Sequence, residues 1–265
     1  MIVALSIIKN KSKGEYLMSN HLQKPFSDII GEKSPIQKAV KLAWQFAENK
    51  PETVANTAES RTASALILTH LLGLMDSAGL INCRGFHSSA ITLLRAIEDA
   101  TDCFAAVGIN ADAAIKWREG KLKGSDAAKI WTSNIRMDEI DSPEYRKIIR
   151  TSLNKYSHCT PERANWNIYL ETIAPKKCKM ESNTKPMVIN INAYYIDRYL
   201  CIHIYELIEI IKTVYSSYIK TKSGLETKLL SLQQKIKEVI LDFLRFINEE
   251  KLDIMIAPEL LRIKD

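Results

Sequence analysis

The sequence predicts an all-α protein, a multi-helix bundle of about eight helices with no sizeable sheet. Three observations predict this fold class. Hydrophobic side chains recur in several segments at the i, i+3, i+4 and i+7 spacing of amphipathic helices. Sustained alternation of period two, which a half-buried strand would show, is absent. Ser-Pro and Thr-Pro pairs mark helix starts, because the hydroxyl caps the first turn and proline fits its first position.

The N-terminal part of the chain should contain three helices. The first, over residues 34–47, opens with a Ser-Pro pair and buries one apolar stripe. The second is expected from about 51 to 78, with Gly79 marking its end. The third is the most regular and runs from about 82 to 107, with Gly108 as its stop signal.

Shorter helices follow, for which Asn110 and Ser125 are candidate N-caps. A second Ser-Pro pair predicts a helix over 142–157. Two long helices are then expected, over about 193–219 and 225–249, because their apolar residues keep the helical period.

We expect one domain, a helical bundle over residues 34–250. Residues 1–33 are predicted to form an N-terminal arm and residues 251–265 a C-terminal tail. A loop near 174–190, polar and basic at first, interrupts the bundle without dividing it, because two helices alone would bury too little surface to be stable. No segment reaches about 18 uninterrupted apolar residues, so we predict no membrane span.

Composition excludes several functional classes. Glycine is scarce, at nine residues, and no glycine-rich phosphate loop, dinucleotide-binding motif or serine-hydrolase elbow is present. No two of the five cysteines are close enough for a Cys-x-x-Cys metal or redox pair, and their scatter is typical of reduced thiols in a cytoplasm. The net charge of +6 is compatible with RNA or an acidic partner without requiring either.

The second half of the third predicted helix carries a group of charged residues, Arg95, Glu98, Asp99 and Asp102. Arg95 and Asp99 are four residues apart, as are Glu98 and Asp102, so each pair shares one turn of the helix surface. One interpretation is a charged stripe that faces solvent. The other is a central helix whose polar side faces another helix, where Arg95 would need a carboxylate partner. We treat Arg95, Glu98 and Asp99 as supporting polar residues.

The helix over 142–157 carries a second polar group. Arg150, Asn154 and His158 are spaced i, i+4 and i+8 and therefore stack along one edge. An arginine can hold a phosphate through its planar guanidinium, and a histidine can move protons near neutral pH. Metal-independent RNA cleavage needs both functions. The alternative is a polar helix edge whose terminal His158 caps a carbonyl.

A third group consists of His203, Glu206 and Glu209. His203 and Glu206 share a helix face, as metal ligands in four-helix bundles do. Such sites need a Glu-x-x-His from each of two helices, whereas here the order is reversed and no second copy exists. We therefore predict no metal and no cofactor. His70 lies in an apolar helix and is expected to be a core histidine with its hydrogen bonds satisfied.

The segment Leu93–Asp99 resembles large bacterial families that carry a Leu-Leu-Arg-x-x-x-acid helix. In these families a helix ending in Ser-x-x-x-His or a similar element follows. The corresponding stretch here is Tyr145–Thr160, with Asn154 and His158. The resemblance covers roughly residues 55–220. These families look like distant relatives of the HEPN group, helical bundles found in toxin–antitoxin and antiphage systems.

This resemblance implies a helical bundle in a bacterial cytoplasm that forms a dimer. Active HEPN proteins are metal-independent ribonucleases with a composite site at the dimer interface, whose motif is an arginine and a histidine with four to six residues between them. Asn154 and His158 match the later half of that motif. Leu153 stands where the arginine is expected, and Arg150 is separated from His158 by seven residues.

The leading hypothesis is thus a HEPN-like defence or toxin-type protein that acts on RNA by metal-independent cleavage. His158 would be the acid/base, Arg150 the phosphate clamp and Asn154 an orienting donor. The alternative is a non-enzymatic interaction module, antitoxin-like or binding another protein, in which the Arg95–Asp99 pair is structural. The expected partners are RNA, a second copy of the chain or a helical protein, and no membrane.

Overall fold

The computed structural model describes residues 34–83, 87–132, 151, 153–154 and 191–249. Within these ranges the protein has eight helices and no strand, which confirms the predicted all-α bundle. The helices are α1 Pro35–Asn49, α2 Ala58–Cys83, α3 His87–Ile109, α4 Ala111–Arg118, α5 Gly124–Thr132, α6 Ile191–Val214, α7 Ser216–Thr221 and α8 Leu225–Glu249.

Several predicted features lie outside the described residues. They are the arm over 1–33, the loop near 174–190, the tail over 251–265, and the proposed site residues Arg150 and His158.

The bundle is built around α2, α3 and α6, which contact one another. Helices α4 and α5 cover α3, while α1 and α8 pack against α6 and against each other. One continuous apolar core joins these helices, because each turns a stripe of aliphatic side chains inward. Fully buried aliphatic members from α2 and α3 include Leu68, Leu71, Leu72, Ile91, Leu94 and Ile97.

The first and last helices agree with the sequence prediction. The Ser34 side chain accepts a hydrogen bond from the backbone N–H of Gln37 at 3.1 Å, and Pro35 follows at the first helical position. Helix α8 has the predicted bounds, Leu225–Glu249. Both helices are set by local signals, and the structure places them accordingly.

The second helix begins later and ends later than predicted. The backbone N–H of Val54 donates to the carbonyl of Val214 at 2.9 Å, and that of Ala55 donates to Gly108 at 3.0 Å. These bonds hold the chain before α2 in a turn against the ends of α6 and α3, so the segment over 51–57 is not helical. At the other end, Gly79 is a buried residue inside α2 and not its stop.

The third helix also ends two residues later than predicted, at Ile109 and not at 107. Gly108 lies inside α3, and a Cβ atom at this position would overlap the side chain of Val214. The glycine thus permits α3 to lie close to the end of α6 and does not break the helix. The predicted start at Asn82 is wrong because this residue belongs to α2.

Of the two predicted caps that follow, one is confirmed. Asn110 accepts a hydrogen bond from the N–H of Ala113 at 2.9 Å and caps α4. Helix α5 instead begins at Gly124, so Ser125 is inside the helix. The predicted helix over 193–219 is interrupted at Tyr215, which is buried and stacks on Phe46 with ring centroids 5.0 Å apart.

Among the helices that the structure describes, one is long and apolar enough to cross a membrane by length and composition. The stretch Ala58–Asn82 of α2 has a mean hydropathy of 1.5 in its most apolar window, and half of that window is buried in the bundle. A core helix of a helical bundle has the same properties. His70 lies on the outer side of this helix and is exposed, so the prediction of a core histidine is wrong.

Candidate functional site

Helix α3 carries its charged residues at two depths. Glu98 is 2% exposed and Asp102 is fully buried, whereas Arg95 and Asp99 are partly exposed. The interpretation of α3 as a central helix whose polar side faces other helices is therefore confirmed for Glu98 and Asp102. The solvent-facing stripe is wrong for these two residues. A buried carboxylate is costly unless it has a polar partner. The residues that contact Glu98 and Asp102 therefore form the buried part of the candidate site.

Glu98 accepts two contacts from α6. The hydroxyl of Tyr199 donates to Glu98 Oε1 at 2.6 Å, and His203 Nε2 lies 2.8 Å from the same oxygen. Tyr199 and His203 are one turn apart on α6, and their ring centroids are 4.3 Å apart. The helical spacing of α6 thus presents a hydroxyl and an imidazole side by side to one carboxylate.

His203 also faces a second carboxylate. Its Nδ1 atom is 3.4 Å from Glu206 Oε2, so a carboxylate oxygen lies near each ring nitrogen. We refer to Glu98, Tyr199, His203 and Glu206 as the buried cluster.

The sequence placed His203 and Glu206 on one face but did not identify Glu98 as their partner. Glu209, the third member of that predicted group, is separate from the buried cluster: it accepts from Lys212 at 2.8 Å and from Gln233 at 2.6 Å. Among the described residues, no group of three histidine, cysteine or acidic side chains is arranged to hold a metal ion.

Two further buried polar contacts were not predicted. Asp102 accepts a hydrogen bond from the Trp131 indole of α5 at 2.7 Å. Asp197 accepts one from the Asn82 amide at the end of α2 at 2.5 Å. Burial raises the pKa of Asp197 well above its ordinary value, although the bond from Asn82 acts in the opposite direction. These contacts tie α5 to α3 and α2 to α6.

At the surface, Arg95 joins two of the predicted site residues. It forms an ion pair with Asp99 one turn along α3, and its Nε donates to Asn154 Oδ1 at 2.8 Å. The side chains of Arg95 and Asp99 are 23% and 41% exposed. We call Arg95, Asp99 and Asn154 the surface triad. Its contacts link α3 to a chain segment 59 residues away.

The Asp99 carboxylate also lies against the start of α5. A Cβ atom on Gly124 would overlap this carboxylate, so the close approach depends on glycine at that position. Gly124 is the first residue of α5, where the helix dipole favours a negative charge. Burial, and then the negative charge of Asp99, raises the pKa of the Cys103 thiol to about 11. This thiol is therefore protonated near neutral pH.

Of the residues proposed as catalytic, the structure describes only Asn154. It is exposed and bound to Arg95, while its neighbour Leu153 is fully buried in the core. An apolar residue at 153 suits this buried position. Arg150 and His158 stay predictions, because they lie outside the described residues.

No known protein family, no curated protein and no solved structure matches this chain. Its function therefore has to be argued from the arrangement of its own residues.

Proposed function

We propose that this helical bundle is a HEPN-like protein that acts on RNA at the surface triad. The hydrogen bond from Arg95 to Asn154 carries the proposal. The resemblance to HEPN relatives rests on two sequence elements, one containing Arg95 and the other containing Asn154. Direct contact between these residues is what a shared site formed by both elements requires.

The chemistry of the surface triad suits a phosphate group. A guanidinium carries five N–H donors in a plane, and only the Nε donor of Arg95 is bound to Asn154. Asp99 holds the guanidinium in position from the next turn of α3. Lys123 is exposed and is bonded to Gly124, which lies against Asp99, so the backbone of a second basic residue adjoins a residue that contacts the surface triad. A phosphate would compete with Asp99 for Arg95, which favours contact with a polyanion over a single phosphate ion.

Asn154 supports the role of an orienting donor. Because its oxygen accepts from Arg95, the amide nitrogen is held in one orientation. In this proposal His158 supplies acid/base chemistry and Arg150 holds the scissile phosphate. Cleavage would need no metal: a base removes the 2′-OH proton and cations stabilise the charge that develops on the phosphate. A defence or toxin-type role in a bacterial cytoplasm belongs to the same proposal.

Incubation of the purified protein with labelled tRNA in EDTA tests the catalytic part. We expect cleavage by the wild type, loss of cleavage in His158→Ala, and no change in the control His21→Ala. Absence of cleavage at every protein concentration, or an equally active His158→Ala variant, would remove the ribonuclease function.

Binding of RNA can be tested separately at the triad. Asn154→Asp keeps an acceptor for Arg95 but adds a negative charge, so it should preserve stability and weaken RNA binding about 10-fold. Arg95→Ala should weaken binding as well. Arg61→Ala is the matched control, because Arg61 is a surface arginine that pairs with Glu52 at 3.3 Å. If all variants bound RNA equally, RNA would contact another part of the protein or would not bind to it specifically.

The alternative function is a non-enzymatic interaction module. One observation favours it: Arg95 already has a carboxylate and an amide as partners within the chain. In this case the surface triad would act as a structural connection between α3, α5 and the segment with Asn154. Arg95→Ala and Asn154→Ala would then lower the free energy of unfolding without any effect on RNA.

A further inference from the structure

The last turn of α4 and the connection from it to α5 form the most basic segment of the described chain. Four of the eight residues over 116–123 are basic: Lys116, Arg118, Lys121 and Lys123. All four are exposed, and Glu119 is the one acid among them. No other stretch of eight residues in the described ranges carries four basic side chains. We call residues 116–123 the basic loop.

Hydrogen bonds hold the backbone of the basic loop in one conformation. The N–H groups of Lys121 and Leu122 both donate to the carbonyl of Lys116, at 2.8 and 3.2 Å, which folds the chain back over the end of α4. Gly120 allows this turn because its φ of 69° is in the left-handed region. The side chains of Trp117 and Leu122 pack against the apolar core. The backbone that carries the basic residues is therefore in place before a ligand binds, which lowers the ordering cost of binding.

The basic side chains of the loop are open to solvent and weakly paired. Lys121 pairs with Glu119 at 2.8 Å. Arg118 pairs with Glu59 of α2 at 3.5 Å. Exposed pairs of this kind contribute little to stability, so a phosphate group can replace either carboxylate. The other two lysines of the loop form no ion pair with any described residue.

The end of the basic loop adjoins the surface triad. Lys123 is bonded to Gly124, and a Cβ atom on Gly124 would overlap the Asp99 carboxylate. Asp99 in turn pairs with Arg95. The backbone carbonyl of Lys123 accepts from the N–H of Asp126 at 3.0 Å and so begins α5. The surface triad and the basic loop are therefore adjacent parts of the protein, joined at the start of α5.

We propose that the basic loop binds the sugar–phosphate backbone of an RNA strand that also contacts the surface triad. This inference rests on the proposed action on RNA and extends it, because it names the surface along which the strand continues. Several cations close together suit a polyanion, since each phosphate that a basic side chain neutralises releases condensed counterions. These contacts are independent of base sequence, because phosphates carry no sequence information.

An anionic membrane fits the basic loop less well. Stable binding to a lipid surface needs an apolar anchor as well as charge. The apolar side chains of the loop, Trp117 and Leu122, pack against the core. Ile115, the residue before the loop, is 39% exposed. Even one myristoyl chain gives only marginal membrane binding, so a single isoleucine is too small an anchor.

Fluorescence anisotropy of the full chain with a labelled 2′-O-methyl RNA tests this surface. An RNA without a 2′-OH cannot be cleaved by the proposed chemistry, so binding is measured alone. The double variant Lys116→Gln with Lys123→Gln should raise the Kd about 10-fold. It should also reduce the slope of log Kd against log salt concentration by about 1.4, since each phosphate contact on a single strand contributes about 0.7.

The double variant Lys38→Gln with Lys41→Gln is the matched control. Both lysines are exposed on α1, which packs against α2, α6 and α8. Each double variant removes two positive charges and lowers the net charge from +6 to +4. The control should leave the Kd and the salt dependence unchanged.

The outcomes separate this inference from the proposed function. Absence of RNA binding by the wild type overturns both. Binding that Arg95→Ala weakens and the loop variant does not weaken overturns the role of the basic loop and leaves the surface triad. Equal weakening by the loop variant and the α1 control also overturns it, because binding then responds to net charge alone. Binding to phosphatidylserine vesicles in place of RNA overturns it as well and assigns the loop to a membrane surface.

Discussion

Glu98 on α3 and His203 on α6 face each other in the interior of the bundle, with Glu98 Oε1 2.8 Å from His203 Nε2. Both residues are 2% exposed. This polar contact joins two central helices in addition to their apolar packing. Removing one partner of a buried polar contact is costly, because the other polar group is left buried without a hydrogen-bond partner.

We predict that Glu98→Gln lowers the free energy of unfolding by about 1–3 kcal/mol, because the amide that replaces the carboxylate leaves a buried polar group without its full set of hydrogen bonds. Tyr199→Phe deletes a single bond to the same carboxylate and should cost about 1.5–3 kcal/mol. Denaturant unfolding followed by circular dichroism measures both. Glu238→Gln on the exposed side of α8 is the control and should change stability by less than about 0.5 kcal/mol. A Glu98→Gln protein as stable as this control would contradict a paired, buried carboxylate.

Asn154→Ala should cost about 1 kcal/mol of stability, because Arg95 loses one acceptor at a position that water can partly replace. Asn154→Asp retains an acceptor and should be close to the wild type. Ser231→Ala, at an exposed position of α8, is the control. Thermal unfolding distinguishes the three variants. If Asn154→Ala were as stable as Ser231→Ala, the contact with Arg95 would add nothing to the fold.

Asp197 should make the protein less stable as pH rises. Burial raises its folded-state pKa above 3.8, so the folded state retains this proton to a higher pH than the unfolded state does. The destabilising contribution therefore grows from about pH 4 until the pH exceeds the folded pKa. Asp197→Asn removes the titration but keeps an oxygen for the Asn82 amide. The stability of Asp197→Asn relative to the wild type should increase between about pH 4 and pH 7, as measured by chemical denaturation. A difference that is constant with pH would contradict the raised pKa.

Two glycines form a matched pair for the packing of the helices. Gly108→Ala should destabilise the protein by about 1–3 kcal/mol, because its methyl group would overlap Val214. Adding Val214→Ala should recover part of this loss by making room. Gly73→Ala, where the added methyl meets nothing within 4 Å, should increase stability by about 0.5–1 kcal/mol through helix propensity.

Thermal unfolding at low protein concentration measures the stability of these three variants without a contribution from self-association. A Gly108→Ala protein as stable as Gly73→Ala would show that α3 and α6 are not in close contact at this position.

The sequence predicted the parts of the fold that local chemistry controls. Ser34 and Asn110 were identified as caps because a short polar side chain can reach the free N–H groups of the next turn. Helix α8 was predicted because its apolar residues repeat with the helical period over the whole segment. The start of α2 was wrong because the N–H groups of Val54 and Ala55 bind carbonyls more than 50 residues away.

In the candidate site, too, spacing along the sequence predicted some features and packing between helices decided the others. From the sequence alone one could derive the all-helical class, the neighbouring positions of Arg95 and Asp99, and the shared face of His203 and Glu206, since these depend on spacing within one helix. Only the tertiary structure decided that Glu98 binds His203, that Arg95 binds Asn154 and that His70 is exposed. Helical periodicity determines which side chains share a face. Which faces meet depends on packing between distant segments, and no local pattern encodes it.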